Sequence, residues 1–524
     1  MATAAGARSS WALRARSLSG ARTQYAVCAL GLGLVVLVSL SLRTQNLGVG
    51  YWIDEGLSVG IADRPLSDIP GVLRLDGSPP LYYGLLSVWM SVVGSSEESA
   101  THLLSLLLAL LTVPVAWAIG RGLYGARAGW IAAALFALNP FVTQYAQEAR
   151  MYALVILLGA VAMGAFLAAF VHRRRWAVPV FALALAAQLY AHNYALFFAA
   201  TLGVTWLVLL LVAASSERRT LARDGLLAFG AVALLYAPWL PELIFQAQHT
   251  GAPWSERPTL DDLRGSPSQL LGDVEQVALL LAGGAGAMTV LAARARSPEA
   301  QAVIALALVG FGTILLAWGA SQVSPAWAVR YLSVAVAPLL LLCALGLARA
   351  GRLGLVGLAL VALMWSSSTG RSEKSNVRAV TESLAPSVRP GDLVISTQPE
   401  QLPVLAHYLP PGLSWATLWG PVSDLGVTDW RDGVQRLERT SVRRNLRPLL
   451  DELPAGRRLV LVEPTIYRLE RWDAPWTELV RIRSEAWSRA LSEDPRFSVA
   501  AIYPASPFPE RPSPVKATVF IKRS

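Results

Sequence analysis

Charge and cysteine are both scarce in this sequence. Only 15% of its 524 residues are Asp, Glu, Lys or Arg, whereas a soluble domain carries about a quarter. The two cysteines, Cys28 and Cys343, lie inside apolar stretches, which excludes a disulfide framework and a cysteine-ligated metal centre. The net charge of +10 comes largely from arginines in short runs between apolar stretches. That distribution is typical of membrane orientation signals, so we expect no nucleic-acid partner.

Long apolar runs, by contrast, are abundant. Hydrophobic residues make up 54% of the chain, the mean hydropathy is +0.46, and runs of spanning length recur from residue 25 to residue 369. The sequence therefore predicts an all-α polytopic membrane protein with about eleven transmembrane helices. The predicted spans are residues 25–43, 100–119, 128–144, 151–171, 177–191, 194–214, 225–245, 270–292, 300–320, 329–348 and 353–369. The basic tail, residues 1–24, precedes a first span that is too long for a signal peptide, which indicates an uncleaved anchor.

The basic clusters predict how these spans are oriented. The clusters are residues 1–24, 121–127, 172–175, 218–223, 294–296 and 349–352. Pairs of spans separate them, so all of them face the cytoplasm if Pro80 to Gly94 does not cross the bilayer. That segment is apolar but short, and we expect a helix lying in the membrane interface, opened by Pro79-Pro80. The N-terminus then lies on the cytoplasmic side of the cytoplasmic membrane, and the C-terminal region lies on its outer side.

The first outer loop carries the most distinctive stretch, Tyr51-Trp52-Ile53-Asp54-Glu55. Its aromatic pair suits the level of the lipid headgroups. Adjacent carboxylates at a membrane surface must stay solvated, find a partner or bind a cation, because burying their charge is costly. One interpretation makes them a solvated pair that caps a short helix. The other makes Asp54 the catalytic centre of a membrane enzyme, with the spans forming a groove around it.

Four further motifs on the predicted outer face contain residues suited to substrate binding. They are Asp76-Gly-Ser-Pro-Pro-Leu-Tyr82-Tyr83, Gln147-Glu148-Ala-Arg150-Met-Tyr152, His192-Asn193 and Arg330-Tyr331. The spacing of Glu148 and Tyr152 predicts that they share one face of a helix. The gathering of chemically useful groups on one side favours a reaction at the outer membrane–water boundary over transport through the bilayer.

Each motif also has a purely structural interpretation. Asp76 or Ser78 can cap the helix that follows, and Glu148 can form an intramolecular ion pair. His192 can be a structural histidine, and Arg330 can extend its guanidinium to the outer headgroups.

Taken in order, the motifs resemble those of the GT-C class of integral-membrane glycosyltransferases. The nearest resemblance is to the bacterial protein O-mannosyltransferase-like superfamily, which includes the lipid A aminoarabinose transferases. The resemblance rests on Asp54-Glu55, Asp76 to Tyr83, Gln147 to Tyr152, Tyr190 to Tyr194 and Arg330-Tyr331-Leu332, and it covers residues 25 to about 370. Two positions depart from the family pattern. Ser78 replaces a histidine, and Thr101-His102 stands where an Arg-Leu-Pro run is usual.

The resemblance implies transfer of a sugar from a polyprenyl-phosphate carrier to an acceptor hydroxyl at the outer face, with inversion. Phosphate is a stable leaving group, so the chemistry needs a base and cations more than a general acid. Asp54 is the implied base, and Glu55 is expected to orient the acceptor or the base. Arg150 and Arg330 are the candidate phosphate ligands. The implied substrate site comprises Asp76, Tyr82, Tyr83, Gln147, Glu148, Arg150, Tyr152, His192, Arg330 and Tyr331.

The expected partners are the lipid-linked sugar, membrane lipids and an acceptor that is a glycan, a lipid or a protein. No cofactor is expected except a divalent cation, for which Glu148 and His192 are the candidate ligands; Glu148 can alternatively pair with Arg150. Two other classes stay open: a polytopic transporter or flippase, and a non-catalytic envelope-assembly protein.

The region beyond the spans changes composition and predicts a small extracytoplasmic α/β domain over residues 371–524, after a transmembrane catalytic domain over residues 25–370. The strands are expected at Asp392–Ser396, Arg458–Val462, Ser498–Ile502 and Ala517–Ile521, and the helices at Val377–Leu384, Trp430–Leu453 and Thr477–Leu491. The domain is expected to cover the catalytic face, to bind the acceptor, or to be a structural appendage.

Overall fold

The computed structural model describes residues 26–293, 297–365, 373–469, 472–504 and 514–523. It is mostly helical, at 70%, with a small sheet near the C-terminus, as predicted. The basic tail in residues 1–24 and the cluster at residues 294–296 lie outside the described residues.

A helix occupies every one of the predicted spans. Seven described helices are long and apolar enough to cross a membrane, and four shorter apolar helices coincide with the other predicted spans. The helices are α1 Ala26–Arg43, α2 Ile53–Ala62, α3 Ile69–Asp76, α4 Leu81–Val93, α5 Glu98–Tyr124, α6 Ala126–Leu138, α7 Pro140–Tyr145, α8 Tyr152–Phe166, α9 Ala177–Ala191, α10 Ala195–Val212, α11 Ser215–Tyr236, α12 Leu240–His249, α13 Leu260–Leu271, α14 Asp273–Ala293, α15 Pro298–Val323, α16 Ser333–Arg349 and α17 Arg352–Trp365.

Three boundaries differ from the prediction. The span expected over residues 128–144 is broken at Asn139-Pro140, because proline disfavours helix in the preceding residue and Asn139 Oδ1 caps the new helix by accepting from the Val142 N–H at 2.9 Å. The connection between the predicted spans at residues 225–245 and 270–292 is largely helical, in α12 and α13. The helix α4 forms where the interfacial helix was expected, but no side chain caps it, so the predicted capping by Asp76 or Ser78 is wrong.

Small residues let the spans approach each other closely. α14 and α16 cross where Gly283 faces Gly346, and a Cβ atom at Gly346 would collide with the Gly283 carbonyl group. A Cβ at Gly120 of α5 would lie 2.7 Å from the Ala128 carbonyl oxygen of α6. Glycine and alanine therefore hold the bundle together through close backbone packing, as is usual for membrane helices.

Three of the predicted cytoplasmic clusters, at residues 121–127, 172–175 and 218–223, meet at one end of the bundle. Arg174 Nη2 donates to the Gly122 carbonyl at 3.0 Å, and the guanidinium of Arg175 lies 3.7 Å from Asp224. α5 has 27 residues, which at the rise of an α-helix separates this end from its own first turn by about 40 Å. The residues predicted to face outward lie near that first turn.

The C-terminal region forms a six-stranded mixed sheet packed with helices. Its elements are α18 Val377–Leu384, β1 Leu393–Ser396, α19 Leu402–Tyr408, β2 Ser414–Thr417, β3 Gly420–Pro421, α20 Gly433–Glu438, α21 Arg447–Glu452, β4 Arg458–Pro464, α22 Pro475–Glu493, β5 Phe497–Tyr503 and β6 Val515–Lys522. The strand order is β3-β2-β1-β4-β6-β5; β2, β1 and β4 run parallel, and β3, β6 and β5 pair with their neighbours in antiparallel fashion.

All four predicted strands are present, whereas β2 and β3 were missed because they are short. The single helix expected over Trp430–Leu453 is instead three short helical segments, since a π-helical turn at Val442–Leu446 lies between α20 and α21.

This region packs directly on α2, the helix that carries Asp54. A Cβ at Gly56 would lie 2.7 Å from Val404 Cβ, and a Cβ at Gly60 would lie 2.5 Å from the Gly426 carbonyl oxygen. At the end of α2, Arg64 makes a two-point ion pair with Asp424 at 2.9 and 2.6 Å. The two glycines thus let the C-terminal region pack closely against α2.

Candidate active site

Asp54 lies in the first turn of α2 between two arginines. Its Oδ2 is 3.4 Å from Arg330 Nε and 3.9 Å from Arg150 Nη2. The Asp54 side chain keeps 18% of its surface exposed. A carboxylate at a helix N-terminus, held by cations but open on one side, is available to accept a proton from a bound molecule.

The two arginines are fixed by different means. Arg150 Nη1 donates to the Asp54 carbonyl at 3.2 Å and to Ser58 Oγ at 2.9 Å. Arg330 instead lies among the rings of Trp52, Trp254 and Tyr331, with its guanidinium carbon 5.3 to 5.4 Å from each ring centroid. Because packing and hydrogen bonds orient both guanidinium groups before any ligand binds, little ordering is left for the binding step.

A cavity of about 540 Å³ opens beside Asp54. Six of the predicted site residues line it, namely Asp54, Asp76, Arg150, His192, Arg330 and Tyr331. The other six, Glu55, Tyr82, Tyr83, Gln147, Glu148 and Tyr152, do not. The structure thus brings together residues from α2, α3, the turn before α8, the start of α10 and the start of α16.

Glu55 points away from the cavity and is fully buried. One of its oxygens, Oε1, lies 2.8 Å from His102 Nε2, and accepts from the Lys374 ammonium at 3.0 Å and the Ala149 N–H at 3.0 Å. Burial alone would raise the pKa of Glu55, but Lys374 and His102 lower it to about 2. Glu55 is therefore not solvated, and it does not line the cavity in which an acceptor would be oriented. This buried carboxylate holds the first turn of α2, which carries Asp54.

His102 is a partner of Glu55 and does not line the cavity. Its Nδ1 lies 2.8 Å from the Leu47 carbonyl oxygen, and its Nε2 faces Glu55. Both ring nitrogens lie at hydrogen-bond distance from oxygen atoms. The departure from the family pattern at this position thus affects the support of the first turn of α2, and Ser78, the other departure, lines the cavity.

Glu148 pairs with a residue that sequence reasoning missed. Lys374 Nζ lies 3.6 Å from Glu148 Oε1 and donates to the Gln147 carbonyl at 3.2 Å. Burial raises the pKa of Glu148, and Lys374 offsets this only in part. The expected pairing of Glu148 with Arg150 is wrong, since Arg150 pairs with Asp54. Lys374 follows the last span by a few residues, and no pattern around it signals its role.

The segment before α8 is a turn, so Glu148 and Tyr152 do not share a helix face as predicted. The Ala149 N–H is taken by Glu55, and the Arg150 N–H bonds the Glu148 carbonyl at 2.8 Å. These bonds replace the helical pattern, and the turn carries the Arg150 side chain into the cavity.

Three of the tyrosine and glutamine predictions fall in the protein core. Gln147 accepts from the Asn46 N–H at 2.8 Å and donates to the Thr143 carbonyl at 3.1 Å, which joins two loops. Tyr82 and Tyr152 are fully buried, and Tyr152 packs its ring 4.8 Å from that of Tyr145. These residues do not line the cavity but lie in the core that supports its walls.

Tyr83 and Asp76 form one wall unit. The buried Tyr83 hydroxyl lies 3.4 Å from Asp76 Oδ2, to which it donates, and 3.4 Å from Arg150 Nη1. Burial raises the pKa of the Asp76 carboxyl. Asp76 is therefore a second carboxyl group in the cavity.

His192 lines the cavity as a neutral hydrogen-bond donor. Its Nδ1 accepts from the Tyr194 N–H at 3.0 Å, so the proton of the neutral ring lies on Nε2. Burial, with the nearby charges of Arg150 and Arg330, lowers the pKa of His192 to about 3. A protonated Nε2 suits a hydroxyl or phosphate oxygen and not a metal ion.

No metal centre is evident in the part of the chain that the structure describes, where no group of three or more His, Cys, Asp or Glu side chains is arranged to hold an ion. The predicted pair Glu148 and His192 does not make one, since Glu148 bonds Lys374 and only His192 lines the cavity.

The C-terminal region closes the cavity on its outer side. Gln398, Glu400, Trp430 and Thr477 line it, and none of them was predicted as a site residue. Backbone bonds fix this closure: the Trp430 N–H donates to the Leu75 carbonyl at 3.0 Å, and the Trp476 N–H donates to the Pro253 carbonyl at 3.1 Å. Sequence analysis predicts that this region can cover the site, but no motif locates these four residues.

The chain matches no protein-family model, and a search of the curated proteins likewise finds no match. Solved structures do match. ArnT from Cupriavidus metallidurans, a lipid A aminoarabinose transferase, matches with a TM-score of 0.60 at 14% identity, over 95% of this chain and 98% of that chain. The same protein bound to undecaprenyl phosphate matches with a TM-score of 0.59 at 14% identity, over 94% and 98%.

Two other enzymes share the fold. The oligosaccharyltransferase AglB from Archaeoglobus fulgidus, in complex with an inhibitory peptide and a dolichol-phosphate, matches with a TM-score of 0.54 at 12% identity, over 91% of this chain and 73% of that chain. The arabinofuranosyltransferase AftD from Mycobacteria matches with a TM-score of 0.52 at 16% identity, over 95% and 41%. The chain therefore has the GT-C fold of polytopic membrane glycosyltransferases, which confirms the resemblance drawn from its motifs.

Proposed function

We propose that this protein transfers a sugar from a polyprenyl-phosphate donor to an acceptor hydroxyl at the outer face of the cytoplasmic membrane. The observation that carries the proposal is Asp54, a partly exposed carboxylate that lines a 540 Å³ cavity between Arg150 and Arg330. One base beside two cations is the set of groups that displacement of a lipid phosphate requires.

The arginines serve the leaving group. A guanidinium pairs with phosphate through two parallel hydrogen bonds, and these bonds strengthen as the carrier phosphate gains charge. Arg330 Nε has no hydrogen-bond partner within the described residues, and its 3.4 Å approach to Asp54 is an ion-pair distance. The Nε–H of Arg330 is thus available to donate a hydrogen bond to a phosphate oxygen.

Asp54 serves the acceptor. It takes the hydroxyl proton as the acceptor oxygen attacks the anomeric carbon, while the bond from that carbon to the carrier phosphate breaks on the opposite side of the ring. Inversion at the anomeric carbon is the expected outcome of this single displacement. His192, through its Nε2–H, and Asp76 are the neighbouring groups placed to bind hydroxyl or phosphate oxygens.

The known binding partners of the matching structures support the donor class. ArnT has been crystallised with undecaprenyl phosphate, and AglB with a dolichol-phosphate and an inhibitory peptide. AglB has also been crystallised with zinc and sulfate. We propose an acceptor that is a glycan, a lipid or a protein.

The proposed placement follows the predicted topology. Residues 1–24 are cytoplasmic, residues 25–370 form the transmembrane catalytic domain, and residues 371–524 form an extracytoplasmic domain that covers the cavity. A transporter is less well supported, since the charged side chains Asp54, Arg150 and Arg330 gather in one cavity at one end of the described bundle.

The deciding experiment compares cells that contain the native chain, no chain, Asp54→Asn or Asp63→Asn. Asp63, exposed at the other end of α2, provides the matched control. Mass spectrometry of polyprenyl-phosphate sugars and envelope glycans is expected to show one accumulating lipid-linked sugar and one shortened glycan in the null and Asp54→Asn cells only.

The size of the effect tests the assignment of the base. Loss of a general base lowers the rate by about 10²- to 10⁴-fold. Unchanged lipid and glycan pools in the null cells, with the native chain expressed in the comparison strain, would exclude the transferase. Full transfer by Asp54→Asn would exclude only the role of Asp54.

A further inference from the structure

Glu400 is a buried carboxyl group that the proposed chemistry does not use. It lines the cavity from the C-terminal region and keeps only 5% of its surface exposed. Its Oε1 accepts from Trp476 Nε1 at 3.0 Å and from Gln398 Nε2 at 3.0 Å. Its Oε2 has no partner in the part of the chain that the structure describes.

The unpartnered Oε2 atom of Glu400 indicates a ligand-binding site. A buried polar atom without a hydrogen bond destabilises the folded state, so native proteins seldom keep one without a function. Glu400 is also held rigidly, because it lies in the short helical turn Pro399–Gln401 just before α19, and α19 packs on α2 where Val404 meets Gly56. The contacts that place Asp54 therefore also place Glu400.

The surroundings of Glu400 indicate the class of ligand. A carboxyl group disfavours an anion, so the phosphate belongs at the arginine end of the cavity. Trp430 lines the same cavity, as do the polar side chains of Gln398 and Thr477. Flat aromatic rings beside a carboxyl acceptor and small polar groups are the groups that bind a sugar ring, through its apolar face and its hydroxyls.

We propose that Glu400 and Trp430 form a carbohydrate subsite in which Glu400 Oε2 accepts a hydrogen bond from a sugar hydroxyl. This inference rests on the proposed function, since it places the sugar beside the phosphate ligands Arg150 and Arg330. The hydroxyl belongs either to the sugar of the lipid donor or to a sugar of the acceptor. Burial also raises the pKa of Glu400, with a contribution from the negative charge of Asp54.

The test uses Glu400→Gln in the full chain. Glutamine keeps the Oε1 acceptor for Trp476 and Gln398 and replaces only the unpartnered oxygen by an NH₂ group, so we expect the variant to fold. Glu463→Gln is the matched control, because Glu463 is also a buried carboxyl of this region, 6% exposed, but it bonds Ser488 and Lys516 and does not line the cavity.

Binding of three kinds of probe to the purified chain is measured by native mass spectrometry. They are undecaprenyl phosphate, its mannose- and arabinose-bearing forms, and soluble mannose and arabinose oligosaccharides. If the subsite holds the donor sugar, Glu400→Gln should weaken the binding of the sugar-bearing lipids about tenfold and leave the binding of undecaprenyl phosphate unchanged. An acceptor sugar predicts the same loss on the oligosaccharides alone.

The subsite is overturned if Glu400→Gln and the native chain bind every sugar-bearing probe equally, or if Glu463→Gln shows the same loss. Failure of the proposed function has a different signature. The native chain then does not bind undecaprenyl phosphate, while a tenfold difference on the oligosaccharides would still support the subsite.

Discussion

At the scale of single residues, Asp54 and Glu55 show how one step along a helix separates two roles. Successive side chains on a helix point about 100° apart, so one carboxylate reaches the cavity and the next enters the core. Asp54 meets Arg330 and Arg150, and Glu55 meets His102 and Lys374. The pair is one motif in sequence, but in space one carboxylate lines the cavity and the other lies in the core.

Arg330→Lys tests the phosphate site. Lysine keeps the charge but loses the planar two-point contact, and it fits less well among Trp52, Trp254 and Tyr331. We expect about tenfold weaker binding of undecaprenyl phosphate, measured by native mass spectrometry. Arg264→Lys, on an exposed side chain of α13, is the control and should bind like the native chain. Equal binding by both variants would remove Arg330 from the phosphate site.

Lys374→Gln tests the support of the first turn of α2. The change removes the ammonium group from beside the buried carboxyl groups of Glu55 and Glu148, and we expect a loss of about 3–5 kcal/mol in the free energy of unfolding. Thermal unfolding of the purified chain measures it. Arg264→Gln is the control, because Arg264 and its partner Asp261 are both exposed.

The same ion pair predicts a pH dependence. The pKa of Glu55 lies below its ordinary value of 4.5, at about 2, so its stabilisation is complete above pH 4.5 and is lost as the pH falls through about 2. The stability difference between the native chain and Lys374→Gln should therefore be constant from about pH 7 to 5 and shrink towards pH 3. A difference that grows on acidification would assign the effect of Lys374 to something other than Glu55.

Sequence reasoning at this scale recovered the residues whose role is local. Asp54, Arg150 and Arg330 belong to short motifs, and all three line the cavity. Lys374 and Glu400 were missed because their partners are far away in sequence: Lys374 lies 319 residues from Glu55. No pattern within a short window records such a contact, and Glu148 was misassigned for the same reason.

At the scale of elements, α2 is the joint between the bundle and the C-terminal region. Its glycines Gly56 and Gly60 face Val404 and Gly426 so closely that no side chain fits between them. The first turn of α2 carries Asp54, and α19, just after Glu400, packs on it. Movement of this joint would therefore change the distance between the two walls of the cavity.

Gly56→Ala tests the joint. The new Cβ would lie 2.7 Å from Val404 Cβ and 2.8 Å from the Val404 backbone nitrogen, and backbone cannot move aside cheaply. We expect a loss of about 1–3 kcal/mol in unfolding free energy and a fall in transfer activity. Gly71→Ala in α3 is the matched control, since nothing lies within 4 Å of its added Cβ. That change should be neutral or should stabilise by up to about 1 kcal/mol. Equal stability of both variants would show that the joint yields without cost.

At the scale of the whole molecule, the bundle was the most predictable part. Helices occupy all the predicted spans because apolar runs of that length have few alternatives in a bilayer. The breaks within them were harder to predict, since Asn139-Pro140 and the turn at Ala149 depend on local caps and on distant side chains. The sheet order of the C-terminal region was beyond the sequence pattern, because pairing across strands far apart in the chain leaves no periodic signal.

The topology is the prediction on which the outer location of the site depends. In a background with Cys28→Ala and Cys343→Ala, single cysteines are placed at Gly122 and at Arg439, both exposed at the surface of the described structure. Gly122 lies beside Arg174 in the basic end of the bundle, and Arg439 follows α20 in the C-terminal region.

A membrane-impermeant maleimide applied to intact spheroplasts should therefore label Arg439→Cys and leave Gly122→Cys unlabelled until the membrane is opened. The reverse pattern would turn the cavity towards the cytoplasm, where the donor phosphate and the acceptor would have to be supplied from the other side. Labelling of both positions from outside would instead mean that one of the shorter helices between them, α6, α9, α14 or α17, was wrongly counted as a span. Because Asp54 and Glu400 line the same cavity, the position of Arg439 relative to the membrane fixes the side on which any transferred sugar leaves the enzyme.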